Sequence, residues 1–346
     1  MTPARTARLR RSVGVGGFAI AALLLGACAT GGAPQPIPTP DYTSTYVAPA
    51  PIVIAPLTGR QVEPGAATNP SIAAKIDNHP SARPQVGLES TDIVFEELVE
   101  GGLTRYVAVW QSTIPAELGP VRSIRPMDPD IISPFGGIVA YSGGQYRFVE
   151  LMKAAPVYNA IHGQRDTETT FYRSTTKRAP HNVLVKAAEV VASHTDLPAP
   201  AQQFGYALDA ATSTAAKTGD PTSGIALVFG APSKPSWAWD AASATWLRSQ
   251  AGAPDLASTG AQLAATNVVV VRVSVDSGLG VPKSELVGGG EAWVSSGGAT
   301  VHAHWSKSAA TDRIRLVDDN GVAVQLAPGN TWVELVPSTG SVTFTP

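Results

Sequence analysis

The chain has 346 residues, of which 15% are charged and 44% hydrophobic, and its formal charge is −2. This balance excludes a nucleic-acid binder or a protein held on anionic lipid by charge, because both need a basic surface. The single cysteine, Cys28, excludes internal disulfides, and with no other thiol we expect neither thiol catalysis nor a thiolate metal site.

Residues 1–27 have the pattern of a lipoprotein signal peptide. Arginines precede an uncharged apolar run from 13 to 25, which is too short for an ordinary transmembrane helix. The run ends in Leu-Gly-Ala before Cys28, and small residues before a cysteine resemble a bacterial lipobox. We expect acylation of Cys28 and a chain lipid-anchored on the extracytoplasmic face of a bacterial membrane. The alternative is a conventional signal peptide with an incidental cysteine.

The predicted mature chain divides into a tether and two domains. Cleavage before Cys28 removes four of the 25 basic residues and none of the 27 acidic ones, so the formal charge falls from −2 to −6. Residues 28–55 are rich in Pro, Thr and Ala and predict an extended tether. Residues 201–224 are small and polar and predict a linker between domains at 56–200 and 225–346.

The first domain predicts a mixture of strands and helices. Apolar or alternating runs indicate strands at 72–76, 92–99, 103–111 and 137–141. Helical spacing of apolar residues indicates helices at 146–152 and after Asn182. We therefore expect a mixed α/β domain in this half.

The second domain predicts an all-β, sandwich-like fold, which gives an α+β class for the whole chain. Alternating or apolar runs indicate strands at 225–229, 266–275, 291–294, 301–305, 313–316, 322–326 and 331–336. Six of the seven tryptophans lie in this half, which favours a sandwich core; a ledge that stacks on sugar rings is the alternative. His302 and His304 share one face of a strand, but without a third ligand we expect no metal here, and no cofactor elsewhere.

Ionisable residues are concentrated between residues 75 and 125. A two-residue turn at 101–102 would place Arg105 diagonally across from Glu96 and Glu100 on a hairpin whose two faces both look buried. Buried carboxylates need partners, and one arginine cannot serve Glu96, Glu97 and Glu100 together. The remaining arginines in nearby loops are Arg83, Arg122 and Arg125. The cluster is either a closed ion-pair network or a site where unpaired arginines bind an anion.

Two further patterns add candidate residues. Ser142, Gly143 and Gly144 follow a strand and precede a helix, an arrangement that directs backbone N–H groups at an anion. His181 precedes the second predicted helix and is either an acid/base group or a packing residue. The candidate acid/base groups are Asp77, His79, Glu96, Glu97 and His181, and the candidate ligand-binding residues are Arg83, Arg105, Arg122, Arg125, Ser142, Gly143 and Gly144.

These motifs resemble the YerB-like family of predicted bacterial lipoproteins, which has no established biochemical function. The run KIDNHPSARPQVGLESTDIVFEELVEGGLTRYVAVW, followed by GPVRSIRPMD, YSGG and APHN, is similar to its first domain. Segments similar to its second domain lie at 239–240, 246–248, 267–270, 304–307 and 328–332. The resemblance implies a two-domain envelope lipoprotein and supplies no catalytic residues.

Three classes of function remain open. A non-catalytic protein that binds a wall polymer or an envelope protein fits the tether, the tryptophans and the missing catalytic signature. A hydrolase or transferase acting on a glycan or phosphodiester fits the acid/base candidates beside arginines. A solute-binding protein of a transporter fits the anchor, but not a second half made only of strands. The sequence lacks a GxSxG elbow, an HExxH helix and a phosphate-binding loop of the Walker type.

Overall fold

Strands dominate the computed structural model, which describes residues 43–49 and 51–346. Cys28, the signal peptide and most of the tether lie outside these residues, so their predictions stay predictions. Residues 43–49 are exposed and have no regular secondary structure. Among the described residues, none of the helices combines the length and apolar character needed to cross a bilayer.

The first half contains short helices between strands. Its strands are β1 (Val53–Ile54), β2 (Gln61–Val62), β3 (Ile72–Asp77), β4 (Ile93–Leu98), β5 (Thr104–Trp110), β6 (Ile138–Tyr141), β7 (Tyr158–Ile161), β8 (Phe171–Arg173) and β9 (Val183–Val185). Its α-helices are α1 (Asp128–Ile132), α2 (Tyr146–Lys153) and α3 (Ala187–Ala192). The helix predicted directly after Asn182 is wrong at its start, because β9 comes first and pairs with β8.

The second half is built of strands after one short helix. The elements up to residue 221 are β10 (Gly205–Tyr206), α4 (Thr214–Thr218) and β11 (Asp220–Pro221). Later strands are β12 (Gly224–Val228), β13 (Pro235–Asp240), β14 (Thr245–Gln250), β15 (Ala253–Pro254), β16 (Ala264–Ala265), β17 (Asn267–Val273), β18 (Val275–Asp276), β19 (Lys283–Ser284), β20 (Gly288–Ser296), β21 (Ala299–Lys307), β22 (Arg315–Asp318), β23 (Gln325–Leu326), β24 (Thr331–Pro337) and β25 (Ser341–Thr345).

One large mixed sheet runs through both halves. Its strand order is β11-β21-β20-β17-β24-β4-β5-β3-β6-β7, with β22 beside β21. The halves meet where β24 pairs parallel with β4 and Glu334 lies beside Glu96. The predicted α/β and all-β halves therefore share one sheet. The described residues form a largely β fold, and the predicted α+β layout and domain boundary stay predictions.

The two faces of the large sheet are covered by different elements. On one face, Ile131 of α1 and Phe148 of α2 pack against sheet residues such as Val107 and Val269. On the other, a second sheet of order β15-β14-β13-β12-β25 with β16 packs through Trp237 and Trp246. Trp237, Trp246 and Trp332 are at most 2% exposed, as the core explanation of the tryptophans requires.

Residues 201–224, predicted to be a linker, carry ordered structure. Strand β10 pairs with β23, and β11 pairs with β21. Ser213 and Ala215 are fully buried, and the side chain of Ser213 caps α4. The segment is therefore held against the second half by backbone hydrogen bonds and by packing.

The hairpin between β4 and β5 has a different register from the predicted one. Glu97 faces Arg105, and Glu96 faces Tyr106. The turn is longer than two residues, because residues 100–102 form a 3₁₀ turn in which Gly101 and Gly102 both have positive φ. Since side chains alternate along a strand, the shift of one residue moves Arg105 onto the same face as Glu97 and away from Glu96.

Candidate anion-binding cleft

A solvent-open cleft of about 240 Å³ lies where β3 ends and β5 begins. A water molecule takes up about 30 Å³, so the cleft has room for a group the size of a phosphate or carboxylate. Its lining residues are Asp77, His79, Val99, Glu100, Leu103, Thr104, Arg105, Arg122, Arg125 and His181. The structure thus brings together six of the predicted site residues, which are widely spaced in the sequence.

Three charged residues form a row across adjacent strands beneath this cleft. Arg105 of β5 lies between Glu97 of β4 and Asp77 of β3, and the register pairs it with both. In such a row the arginine would ordinarily neutralise a neighbouring acid. Here both carboxylates are engaged by other residues.

Asp77 is saturated by groups other than Arg105. Its Oδ2 accepts a hydrogen bond from Nδ1 of His181 at 2.6 Å, and Nε of Arg122 lies 3.1 Å from the same oxygen. Its Oδ1 accepts the backbone N–H of His79 at 3.1 Å. The carboxylate therefore serves as the anchor for the groups around the cleft.

Glu97 is committed to a buried lysine. Lys75 forms ion pairs with Glu97 and, at 2.7 Å, with Oδ1 of Asp128. The side chains of all three residues are completely buried. Glu97 is consequently a structural ion-pair partner and does not line the cleft, which argues against its predicted acid/base role.

Arg105 forms no ion pair with either of the two acids beside it in this row. Its Nη1 donates a hydrogen bond to the carbonyl of Ser123 at 2.9 Å. Within the part of the chain that the structure describes, no carboxylate oxygen lies within 4.0 Å of its guanidinium. Burial, with the charges of Arg125 and Arg122 nearby, lowers the pKa of Arg105 to about 10. The cleft therefore contains a largely buried positive charge that forms no ion pair with the described residues, while Asp77 and Glu100 offset it only in part.

Arg125 is paired at the rim of the cleft. Its Nε and Nη2 each lie 2.9 Å from an oxygen of Glu100, and its Nη1 donates to the carbonyls of Ser123 and Ile124. Burial alone would raise the pKa of Glu100, but the hydrogen bond from Arg125 lowers it below its usual range. Arg125 is thus fixed in place with its donors largely used.

Two histidines close one side of the cleft. The rings of His79 and His181 are stacked, with centroids 4.3 Å apart and an interplanar angle of 16°. Nδ1 of His79 accepts the backbone N–H of Ser81 at 3.1 Å, so Nε2 carries its proton in the neutral ring. Asp77 fixes the ring of His181 through Nδ1, which turns Nε2 towards other partners.

Glu96 points to the opposite face of the large sheet. Its Oε2 accepts a hydrogen bond from Nη2 of Arg248 at 2.5 Å, and Thr104 donates to its Oε1 at 2.6 Å. Arg248 also pairs with Asp255 and lies over the ring of Trp332 at 4.9 Å. This network joins the second sheet to the large one, so Glu96 is separated from the cleft.

The remaining predicted residues lie outside the cleft lining. Arg83 donates from Nε and Nη2 to the side chain and carbonyl of Asn78, both at 2.9 Å. Ser142 and Gly143 exchange backbone hydrogen bonds with Arg122 and Ile124. Residues 142 and 143 therefore support the chain that carries Arg122; residues 142–144 lie outside the cleft lining, and their anion-binding role stays a prediction.

Some partners of the charged residues were missed in the sequence. Asp128 and Asp255 carried no local signal, because their partners Lys75 and Arg248 lie in other elements. Arg248 had one available signal: Trp246 and Arg248 are two apart and share a strand face, so a core tryptophan predicts an inward arginine.

Comparisons with known proteins agree with the resemblance seen in the sequence. The family model described as "Protein of unknown function (DUF3048) N-terminal domain" matches residues 57–199, and the corresponding C-terminal domain model matches residues 225–333. "Putative lipoprotein YerB" of Bacillus subtilis (strain 168) is 28% identical over 296 residues, covering 82% of this chain and 86% of the relative. A crystal structure of YerB from Bacillus subtilis matches with a TM-score of 0.72 at 24% identity, covering 84% of this chain and 99% of that one.

Proposed function

The chain belongs to the DUF3048 family and is similar to the lipoprotein YerB, and from this premise we propose that it is an extracytoplasmic lipoprotein that binds an anionic envelope ligand. The proposed ligand is a phosphate- or carboxylate-bearing group of a wall polymer or envelope protein. The proposed site is the cleft around Arg105. Similarity to "Putative lipoprotein YerB" and the Leu-Gly-Ala-Cys28 sequence support the lipid anchor.

The observation that carries this proposal is the unbalanced charge of Arg105. A buried cation costs free energy unless a counter-charge offsets the lost hydration. The neighbouring acids Asp77 and Glu97 form ion pairs with other groups, so Asp77, like Glu100, offsets the charge of Arg105 only in part and from beyond ion-pair distance. An anion entering the cleft would meet Arg105 and could also contact Arg122, which is only partly buried. Charge-assisted hydrogen bonds from arginine then stabilise the complex.

Binding of inorganic phosphate to the full chain in detergent, measured by calorimetry, tests the proposal. Arg105→Gln should weaken binding about tenfold or more, since a hydrogen bond to a charged group contributes about 1.5–3 kcal/mol. Its free energy of unfolding should be unchanged or larger, because a buried repulsive charge is removed. The control is Arg315→Gln, which changes an exposed arginine of β22.

Two outcomes would contradict the site. If Arg105→Gln and the unaltered protein bind phosphate with equal affinity, the cleft is not the anion-binding site. A large loss of stability in Arg105→Gln would show instead that this arginine is part of the structural ion-pair network. An envelope ligand that binds this cleft should compete with phosphate in the unaltered protein but not in Arg105→Gln.

A hydrolase or transferase acting on a phosphodiester or glycan is the second candidate, and the Asp77–His181 pair favours it. A carboxylate that holds Nδ1 of a histidine leaves Nε2 to take a proton from water as the water oxygen bonds to phosphorus and the P–O bond to the leaving alkoxide breaks. The alkoxide takes a proton from solvent, and the imidazolium returns its proton to solvent after the step. Turnover of a nitrophenyl phosphodiester that is lost in His181→Ala would support this candidate. Binding without turnover would leave the non-catalytic function.

A further inference from the structure

Two histidines and an aspartate converge on the exposed face of strands β20–β22, in the half of the sheet away from the cleft. His302 and His304 are two residues apart on β21 and share a face. The register that pairs Ala303 with Asp318 brings Asp319 opposite His302. The sequence offered no third ligand for the histidines, and the turn after β22 supplies one.

The ligand atoms of these three residues are already close together. Nδ1 of His302 lies 2.6 Å from Oδ1 of Asp319, and Nε2 of His304 lies 3.2 Å from the same oxygen. One ligand atom from each residue can be chosen so that all lie within 4.8 Å of one another. Tetrahedral zinc with bonds of about 2.0–2.1 Å holds its ligand atoms somewhat over 3 Å apart. Small rotations of exposed side chains would open that space.

Glu291 gives the cluster an outer partner that a metal-binding histidine requires. Its Oε1 lies 3.2 Å from Nε2 of His302, the nitrogen that faces away from Asp319. Metal-bound histidines almost always donate their second N–H to a carboxylate, carbonyl or water, which fixes the ring and its tautomer. The ring of Trp293 packs edge-on against His302 with centroids 5.5 Å apart, which further restricts its rotation.

We propose that His302, His304 and Asp319 form a site for a divalent transition-metal ion, with zinc as the preferred occupant. Imidazole nitrogen with one carboxylate suits zinc and its neighbours, whereas calcium and magnesium take oxygen ligands. Three protein ligands leave a coordination position for water or for a ligand atom of another molecule. This proposal is independent of the anion cleft, since the two sites share no residue.

Titration of the metal-free full chain with Zn²⁺, followed by calorimetry and by competition with a chromophoric chelator, tests the site. The expected result is one Zn²⁺ per chain. His302→Ala, His304→Ala and Asp319→Asn should each weaken it about tenfold or more, and Glu291→Gln about 10- to 100-fold as an outer-partner change. Circular dichroism checks that each variant is folded, which is expected because all four residues lie at the surface.

His181→Ala is the matched control, because the cleft also contains two histidines beside a carboxylate. Zn²⁺ affinity and stoichiometry should be unchanged in that variant. Binding that disappears in His181→Ala and survives in His302→Ala would overturn the proposal and move the metal to the cleft. Zn²⁺ binding only at millimolar concentration would also overturn it, and would leave His302 in contact with Glu291 and Asp319 alone.

Discussion

Replacing Arg248 with methionine should destabilise the protein severely, because this side chain is the positive centre of the core between the two sheets. Arg248 is completely buried and pairs with Glu96 and Asp255, whose side chains are at most 2% exposed. Methionine fills similar space without charge and leaves both carboxylates buried without their cation.

The expected loss follows from that geometry. Removing one partner of a buried ion pair costs about 3–5 kcal/mol. Glu96 keeps its hydrogen bond from Thr104, which limits its share of the loss. The lost contact between Arg248 and the ring of Trp332 adds to it, since a desolvated cation over an aromatic ring is worth about 2 kcal/mol. We expect a total close to 5 kcal/mol in the free energy of unfolding.

Urea unfolding monitored by tryptophan fluorescence measures this loss, because the rings of Trp237 and Trp332 lie against the guanidinium of Arg248. At lower pH the abandoned carboxylates take up protons, so the deficit of Arg248→Met should shrink as the pH falls. Adding Glu96→Gln to Arg248→Met should recover part of the stability at neutral pH. The control Arg315→Met should change it by about 0.5 kcal/mol or less.

A loss below about 1 kcal/mol in Arg248→Met would refute the reasoning. It would mean that water or a rearranged side chain compensates the two carboxylates, so that the space between the sheets is not the dry core described above. A large loss that does not depend on pH would instead assign the effect to packing of the arginine side chain.

Three further predictions concern a buried acid, the anchor and the connecting segment. Burial and the charge of Glu96 raise the pKa of Glu334 well above its usual range, which favours the neutral form in the folded protein; a raised carboxyl pKa reduces stability as the pH rises above the unfolded value. Glu334→Gln should therefore keep or increase the free energy of unfolding at pH 7, and a loss above about 2 kcal/mol would contradict this. Cys28→Ala should abolish partitioning of the chain into detergent or block its maturation, whereas unchanged partitioning of the processed chain would exclude the acyl anchor. Limited proteolysis between residues 201 and 224 should yield two fragments that stay together on a sizing column, since the large sheet contains strands from both; fragments that elute separately would restore the independent domains predicted from sequence.

The strands with strong alternation were predictable, and their pairing across the chain was not. The patterns at 72–76, 137–141 and 331–336 gave β3, β6 and β24 within one or two residues. Nothing in those patterns indicates that β24 lies beside β4, because the partner that a strand pairs with depends on contacts between residues far apart in the sequence. The sequence therefore predicted two folds where the structure has a shared sheet.

The charged residues of the candidate cleft were predictable from the sequence, but their pairing was not. The acids in residues 75–110 were predicted to be buried and therefore to need cationic partners, and the sequence shows nearby arginines that could pair with them. Which arginine stays unpaired depends on the register of one hairpin, which two glycines in a 3₁₀ turn shift by one residue. It also depends on Lys75 and Asp128, whose approach to Glu97 is a tertiary contact.

The parallel pairing of β4 with β24 also sets an order of events during synthesis. The ribosome makes β4 long before its second neighbour, β24, emerges. Until then, one edge of β4 presents unpaired backbone N–H and C=O groups beside an apolar surface, the condition under which nascent chains join one another. Arg248, the ion-pair partner of Glu96, lies on β14 and is also made after β4. Until then, Glu96 lies in water or at the open edge of the sheet. Glu96 is thus, until β14 is made, a charge without its arginine on β4, which opposes premature association of that edge.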